Sequence, residues 1–264
     1  MIFLRLVLAA SVAGLSTFGC DEDDDNGLFS DNARIYFHNQ LTQVGGGSED
    51  DVTVDLFVDN QNSPLQDDVG YTITGNVSAE SIELDDDSES LSFDARGSSS
   101  GSTLVNGPLN RTLTAGDRYT VVLMGDTTLD NRQLRTYRHQ DMDVTSGQIR
   151  VRFINTLSRL SGDELSVVTP GAAGQSLVSG LEYAEGSSYV SVNVSGSLDV
   201  TVNNETQGLE IDQVSCSVSS GRSYDAIIAY RRFDSDDDTG APAAGGQGSD
   251  TAQGQAGESA GRAP

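Results

Sequence analysis

The chain has 264 residues, with 40 acidic against 15 basic side chains and a formal net charge of -25, and every basic residue is Arg. At about 150 residues per domain this length suits one or two domains, and 36% apolar content with 29 Gly and no Trp suits small cores. A surface this negative repels phosphate, which excludes sequence-independent nucleic-acid binding. No apolar run of about 20 residues follows the N-terminal segment, so no later membrane-spanning helix is expected.

Residues 1–19 read as an export address. Arg5 supplies the positive start, and Leu6 to Leu15 is an apolar stretch of signal-peptide length. Ser16-Thr17-Phe18-Gly19-Cys20 resembles a bacterial lipobox, in which a small residue before Cys admits the peptidase and the thiol carries a diacylglycerol. Gly19 and Cys20 fit that pattern, while Thr17 and Phe18 depart from its usual Leu and small residue. The resemblance implies lipidation at Cys20 and a membrane anchor. No twin-Arg pair is present in this N-terminal segment, which favours general secretion. The competing expectation is cleavage near Gly19 and release of a soluble protein, with Cys20 pairing Cys216 in an oxidising compartment. Asp21 to Asp25 is an unbroken acidic run. Self-repulsion extends it, so residues 20–32 are expected to form a solvated tether. Asp directly after the Cys resembles an inner-membrane retention signal, and an acidic cluster there resembles a surface-export signal. Both faces of the envelope stay open.

Beyond the tether the chain repeats itself. Ala33-Arg34-Ile35-Tyr36-Phe37-His38-Asn39 aligns without gaps with Ile149-Arg150-Val151-Arg152-Phe153-Ile154-Asn155. Ile35/Phe37 and Val151/Phe153 alternate onto one face, the period of a half-buried strand. The ends match too: Gly116-Asp117-Arg118-Tyr119 and Gly221-Arg222-Ser223-Tyr224 each place a Gly turn before a strand that opens near Tyr. Further strands are expected at Val52 to Val58, Leu91 to Ala95, Glu164 to Val168, Tyr189 to Val194 and Leu198 to Asn203. No stretch past the signal carries a helical apolar stripe, and Gly, Ser, Asn and Asp punctuate the chain as turns between antiparallel strands require. About seven short strands in about 90 residues per half predict an all-β protein. Its fold would be two tandem immunoglobulin- or transthyretin-like antiparallel β-sandwiches. The expected domains are 33–126 and 148–233, with a linker at 127–147. The tail 234–264 is Gly/Ala/Gln/Ser-rich and too poor in apolar residues to fold.

Three segments of the first half carry a family resemblance: Ala33 to Asn39, Val54-Asp55-Leu56-Phe57-Val58-Asp59, and Leu113 to Val122. In the second half the matching residues are Ile149 to Asn155, Gly180-Leu181-Glu182-Tyr183, Ser187 to Val192 and Gly221 to Ile228. Together they resemble DUF4397, a bacterial and archaeal envelope domain of unknown function. The resemblance implies an exported, often lipid-anchored β-domain that occurs in tandem, and it brings no catalytic residue. The first half departs from it through the insertion Ser81 to Leu104, which contains Asp85-Asp86-Asp87.

Candidate sites are few. An EF-hand needs oxygen ligands at alternate positions, Gly at the sixth and Glu at the twelfth. Loops starting at Glu22 or Asp234 fail at the twelfth position, which is Ala33 or Gly245. The Asp85 to Asp87 run and Asp67-Asp68 read as solvated surface, with a loose calcium site as the alternative, and no metal ligand is assigned. Gly97-Ser98-Ser99-Ser100-Gly101 matches the hydrolase elbow string, but it lies in a Ser/Gly loop with no helix to follow. His38 and His139 are the only histidines. They lie in different segments, His38 on the outer face of the first strand, so a histidine triad is poorly supplied. Nothing in the spacing of 40 acids singles out a glycosidase pair. Arg132, Arg135 and Arg138 are the one basic concentration. They are candidates to hold an anionic sugar or lipid headgroup, or to pair with Asp126, Asp130, Asp141 and Asp143.

High Asp with Arg as sole cation resembles the composition of proteins exposed to high salt, and a marine or halophilic bacterium is the expected source. Taken together, the residues predict a non-catalytic cell-envelope lipoprotein that displays two β-sandwiches to an envelope protein or glycan, without a cofactor. An envelope polysaccharide hydrolase and a soluble secreted binding protein are the alternatives.

Overall fold

The structure, a computed structural model, describes residues 4–10, 32–42, 52–59, 61–71, 77–127, 129–140, 143–171 and 174–230, and only the backbone of 4–10. Cys20, nearly all of the acidic tether and the tail 234–264 lie outside the described residues. The described strands fall in one compact unit, Met1–Arg232.

First in the chain is β1 (Leu4–Ala10). The first half follows with β2 (Asn32–Thr42), β3 (Val54–Val58), β4 (Gln66–Val69), β5 (Ala79–Glu83), β6 (Ser88–Gly97), β7 (Leu109–Thr114), β8 (Arg118–Asp126) and β9 (Gln133–Arg138). The second comprises β10 (Gln148–Asn155), β11 (Leu165–Val168), β12 (Ser176–Leu181), β13 (Val190–Asn193), β14 (Ser197–Asn204), β15 (Leu209–Ser217) and β16 (Arg222–Tyr230), with one 3-10 turn at Ser158–Leu160. The first half pairs a sheet ordered β5-β2-β8-β9 with one ordered β4-β3-β6-β7. The second pairs β13-β10-β16-β1 with β12-β11-β14-β15. Position for position these orders are the same, so the repeat seen in the sequence is a repeat of topology.

Each half closes by pairing its first and last full strands in parallel: Phe37 stands opposite Val121, and Phe153 opposite Ala226. Alternate residues of these strands point between the sheets. Ile35, Phe37, Leu56, Phe93, Leu113, Val121 and Leu123 make the first core, and Val151, Phe153, Leu165, Val200, Val202, Ala226 and Ile228 the second.

Two polar devices recur and fix the strand ends. Asn39 and Asn155 are fully buried. Their Oδ1 atoms accept the N–H of Leu41 and Leu157 two residues on, at 3.1 and 3.0 Å. Their amides donate to backbone carbonyls, those of Val52 and Val69 in one half and of Leu181 in the other. At the opposite end, Gly116 and Gly221 adopt φ +78° and +77°, where a side chain would be strained. Just beyond, the hydroxyls of Tyr119 and Tyr224 accept the N–H of Thr114 and Ser219 at 2.9 and 2.8 Å. This is a tyrosine corner, which ties a strand to the loop that precedes it.

The structure differs from the sequence expectation in what covers the other face of the central strands. β2, β8, β10 and β16 are not half-buried. Their outer faces meet one another and enclose a third core of Val122, Met124, Ile154, Ala184, Ile227 and Ala229. Residues 127–147, read as a linker, carry β9, which adds an eighth strand to the first sandwich and places Leu134 in its core.

Replacing either corner tyrosine by Phe removes the acceptor of a hydrogen bond that is partly shielded from water. Tyr119→Phe and Tyr224→Phe are each expected to lower unfolding free energy by about 1–2 kcal/mol. The losses should add in the double variant, because the corners serve separate cores. Urea unfolding checks this, and unchanged midpoints would remove the corner from the stability argument.

Candidate functional site

The strongest concentration of polar chemistry lies between the two sandwiches. Asp225 takes the β16 position equivalent to Thr120 on β8, and both project from the outer faces of their sheets. Asp225 is fully buried. Its Oδ1 accepts from Arg152 Nε at 2.9 Å and from the Tyr189 hydroxyl at 2.8 Å. Its Oδ2 accepts from Arg152 Nη2 and from the Thr120 hydroxyl, both at 2.7 Å. Arg152 in turn donates through Nη1 to the Arg138 carbonyl at 2.9 Å, and its guanidinium lies 4.8 Å over the Tyr189 ring and 5.5 Å from the Tyr137 ring. Carboxylate and guanidinium thus meet as a bidentate pair, the strong form of this contact. The loop bearing Tyr189 comes close only because residue 186 is Gly: a Cβ there would lie 2.9 Å from the Tyr137 ring.

Burial alone would push the Asp225 carboxyl up. Its neighbours' charges and the hydrogen bonds from Arg152 and Thr120 outweigh that and hold it below the ordinary Asp value. Arg152 is the charge that matters, since burial lowers His139 and keeps it neutral at pH 7. The His139 Nε2 lies 2.7 Å from the Thr120 hydroxyl and 3.2 Å from Asp225 Oδ2. Because Thr120 gives its proton to Asp225, the His139 Nε2 carries the hydrogen, and Nδ1 has no partner.

Thr, His and Asp within hydrogen-bond reach invite comparison with a nucleophilic triad. That mechanism needs the acid on one ring nitrogen and the nucleophile on the other. Here both sit on Nε2, and Thr120 and Asp225 have no solvent exposure. The cluster acts as a structural clamp.

His38 is on the outer face of its strand, as expected, but that face is the junction. It is fully buried, and neither ring nitrogen has a hydrogen-bond partner. Burial, the dominant cause, and the neighbouring His139 pull its pKa down to about 4, against the opposing pull of Asp225. The two histidines the sequence put in separate segments therefore share one interface.

The arginine group does not converge. Arg135 and Arg138 are three apart on β9, and alternation along a strand sends them to opposite faces. Arg135 donates to Gln133 at 2.9 Å, Arg138 pairs with Asp117 at 2.7 Å, and Arg132 precedes the strand. Asp126 pairs instead with Arg159 at 3.5 Å. Gly97 to Gly101 forms a turn closed by Gly101 N–H to Gly97 O, followed by no helix, and the Ser98 hydroxyl donates to Asp55. Asp85 to Asp87 lies in the β5–β6 turn. Among the described residues no group of three or more His, Cys, Asp or Glu is placed to hold a metal ion. Cys216 is half-buried against the second core, opposite Leu198. The signal that would have found Asp225 and Arg152 is a charge inside a strand apolar on both faces: Asp225 before Ala226-Ile227-Ile228-Ala229, and Arg152 between Val151 and Phe153-Ile154.

No family model matches the chain, and no curated protein matches it. Solved structures similar to it include family 41 carbohydrate-binding modules from streptococcal virulence factors, which recognise α-glucan (13% identity, 73% of this chain and 95% of that one, TM-score 0.22). Another is the multi-modular glycogen-degrading pneumococcal virulence factor SpuA (14%, 71% and 20%, TM-score 0.23). A third is the family 26 module of Eubacterium rectale Amy13K in complex with maltoheptaose (16%, 77% and 98%, TM-score 0.20). TM-scores this low transfer neither a binding face nor a ligand to this chain.

Two outcomes follow from the clamp. Asp225→Asn leaves the Arg152 charge buried without its counter-ion and should cost about 3–5 kcal/mol. Adding Arg152→Met should recover part of that loss, and an additive double variant would refute the pairing. The pH dependence comes from His38, which titrates near 6.5 when unfolded and about 4 when folded. Its contribution is complete above about 6.5 and drains as pH falls towards 4, because the unfolded chain binds the proton more readily. The loss should reach about 3 kcal/mol, with His139 acting in the same direction. His38→Ile, which copies the residue at the equivalent position 154, should flatten the slope in urea titrations run from pH 7 to pH 4.5. A slope equal to wild type would exclude His38 as the source.

Proposed function

We propose that the chain is a non-catalytic cell-envelope protein, exported and held to the membrane by lipid on Cys20, whose role is to interact or to build structure. On this reading it belongs with the DUF4397-type envelope domains and presents two sandwiches, joined as one body, at the end of an acidic tether.

The observation that carries the reading is the burial of the chain's reactive-looking groups. Both histidines, Asp225 and Arg152 are spent between the sandwiches, where no substrate reaches them. What they supply is rigidity. Four large side chains of the third core, at about 1.5–3 kcal/mol each, give an upper bound of about 6–12 kcal/mol against separating the halves. Such a body suits display, since loops on a rigid frame recognise a partner without the cost of ordering the frame first.

The anchor is tested by growing cells with a clickable fatty-acid analogue. The wild-type protein should carry the label and sediment with membranes, and Cys20→Ser should lose both while keeping a β-rich circular dichroism spectrum. Label retained in Cys20→Ser, or never incorporated in wild type, would overturn the lipid anchor.

A further inference from the structure

β16 has two edges. One pairs with β10, and the other pairs antiparallel with β1, from Leu4 opposite Tyr230 to Ala10 opposite Tyr224. The same slot in the first sandwich is filled by β9, a strand from the body of the domain. The registers correspond. Val121 and Ala226 are equivalent through their pairing with Phe37 and Phe153, so Leu123 is equivalent to Ile228. Leu134 stands opposite Leu123, and Leu6 opposite Ile228.

β9 shows what the slot demands. Leu134 and Thr136 on it are buried, the former in the sandwich core, and Tyr137 packs on the junction core. The slot is the outer position of the sheet, buried on the side of Leu134 and Thr136 and open on the side of Arg135. In the second sandwich it is filled by residues of the export leader, so leader removal exposes the edge. The sequence after β16, Arg231-Arg232-Phe233 followed by Asp234-Ser235-Asp236-Asp237-Asp238 and Gly/Ala-rich residues, carries no alternating apolar run of the kind a strand in that slot uses.

We propose that in the mature protein the outer edge of β16 binds an extended apolar strand of a partner protein, antiparallel to Tyr224–Tyr230. The inference rests on the export reading above. Main-chain hydrogen bonds to the open edge would supply affinity, and an apolar side chain opposite Ile228, entering the second core as Leu134 enters the first, would supply selectivity. A slot buried on its core side, and paired here with a strand separate from the body of the domain, favours a detached strand. Edge-to-edge pairing with a second copy is the competing outcome that the test separates.

The test uses the mature chain, residues 20–264 with Cys20→Ser, and a fluorescent synthetic peptide of Leu4–Ala10 flanked by lysines for solubility. Saturable binding and slowed hydrogen exchange between Tyr224 and Tyr230 are expected. A Val7→Pro peptide, which lacks a ladder donor and strains the strand, should bind at least about tenfold more weakly. No saturable binding, equal binding of the proline peptide, or a concentration-dependent dimer that excludes the peptide would each overturn the proposal. Intact mass of the protein recovered from cells separates the failures. Retention of residues 1–19 overturns the export reading together with this inference, whereas a trimmed chain that ignores the peptide overturns this inference alone.

Discussion

A carboxylate with no access to water is the constraint around which the two halves are arranged. Asp225 stays ionised in the junction only because Arg152 meets it in bidentate geometry and Thr120 and Tyr189 donate to its remaining lone pairs. Arg152 and Tyr189 belong to the second sandwich, as Asp225 does, and Thr120 on β8 is the donor that the first sandwich contributes, so the full set is complete only when both are in place. Taking a carboxylate and a guanidinium out of water costs several kcal/mol per ion, and an apolar pair can be as stable. Arg152 and Asp225 are themselves cross-strand neighbours in the second sandwich, and the bonds that cross to the first are Thr120 hydroxyl to Asp225 Oδ2 and Arg152 Nη1 to the Arg138 carbonyl. Apolar surfaces such as Val122, Met124 and Ile227 tolerate sliding, whereas these directed hydrogen bonds fix one register.

The duplicated frame shows which positions hold the fold and which were free to diverge. The phenylalanines at 37 and 153, the asparagines at 39 and 155 and the tyrosines at 119 and 224 occupy equivalent places and do the same work in both halves. Positions facing the junction differ: His38 against Ile154, and Thr120 against Asp225. Inside a sandwich each half must solve the same packing problem, so the solutions coincide. At the junction the halves meet each other, and the contact requires complementary residues.

That division explains what could be read from the sequence. Alternation of Ile35/Phe37 and Val151/Phe153, with Gly before Tyr119 and Tyr224, located the strands, because one face of each truly faces a core. The all-β sandwich pair follows from those residues. The junction was hidden by the same rule. A strand buried on both faces loses its period-2 contrast, and a polar residue on the second face, such as His38, reads as solvent-exposed. β9 was missed because Gln133-Leu134-Arg135-Thr136-Tyr137-Arg138 has the arginine content of a surface loop. Its alternation of Leu134 and Thr136 inward is only two residues long. Reading Arg135 and Arg138 as one cluster assumed a loop, and strand geometry separates them.

β8 and β16 show how the junction and the sheet edge are linked. A strand in a sandwich has two faces and two edges. β8 spends all four inside the protein, on the first core, the junction, β2 and β9. β16 spends three in the same way, on the second core, the junction and β10, and its fourth on β1. Ala9 of β1 stands opposite Asp225. The end of any strand that occupies the edge is therefore laid beside the carboxylate that orients the two halves, and backbone pairing there stiffens the residue on which the junction turns. The edge and the junction therefore share one strand, with no element between them.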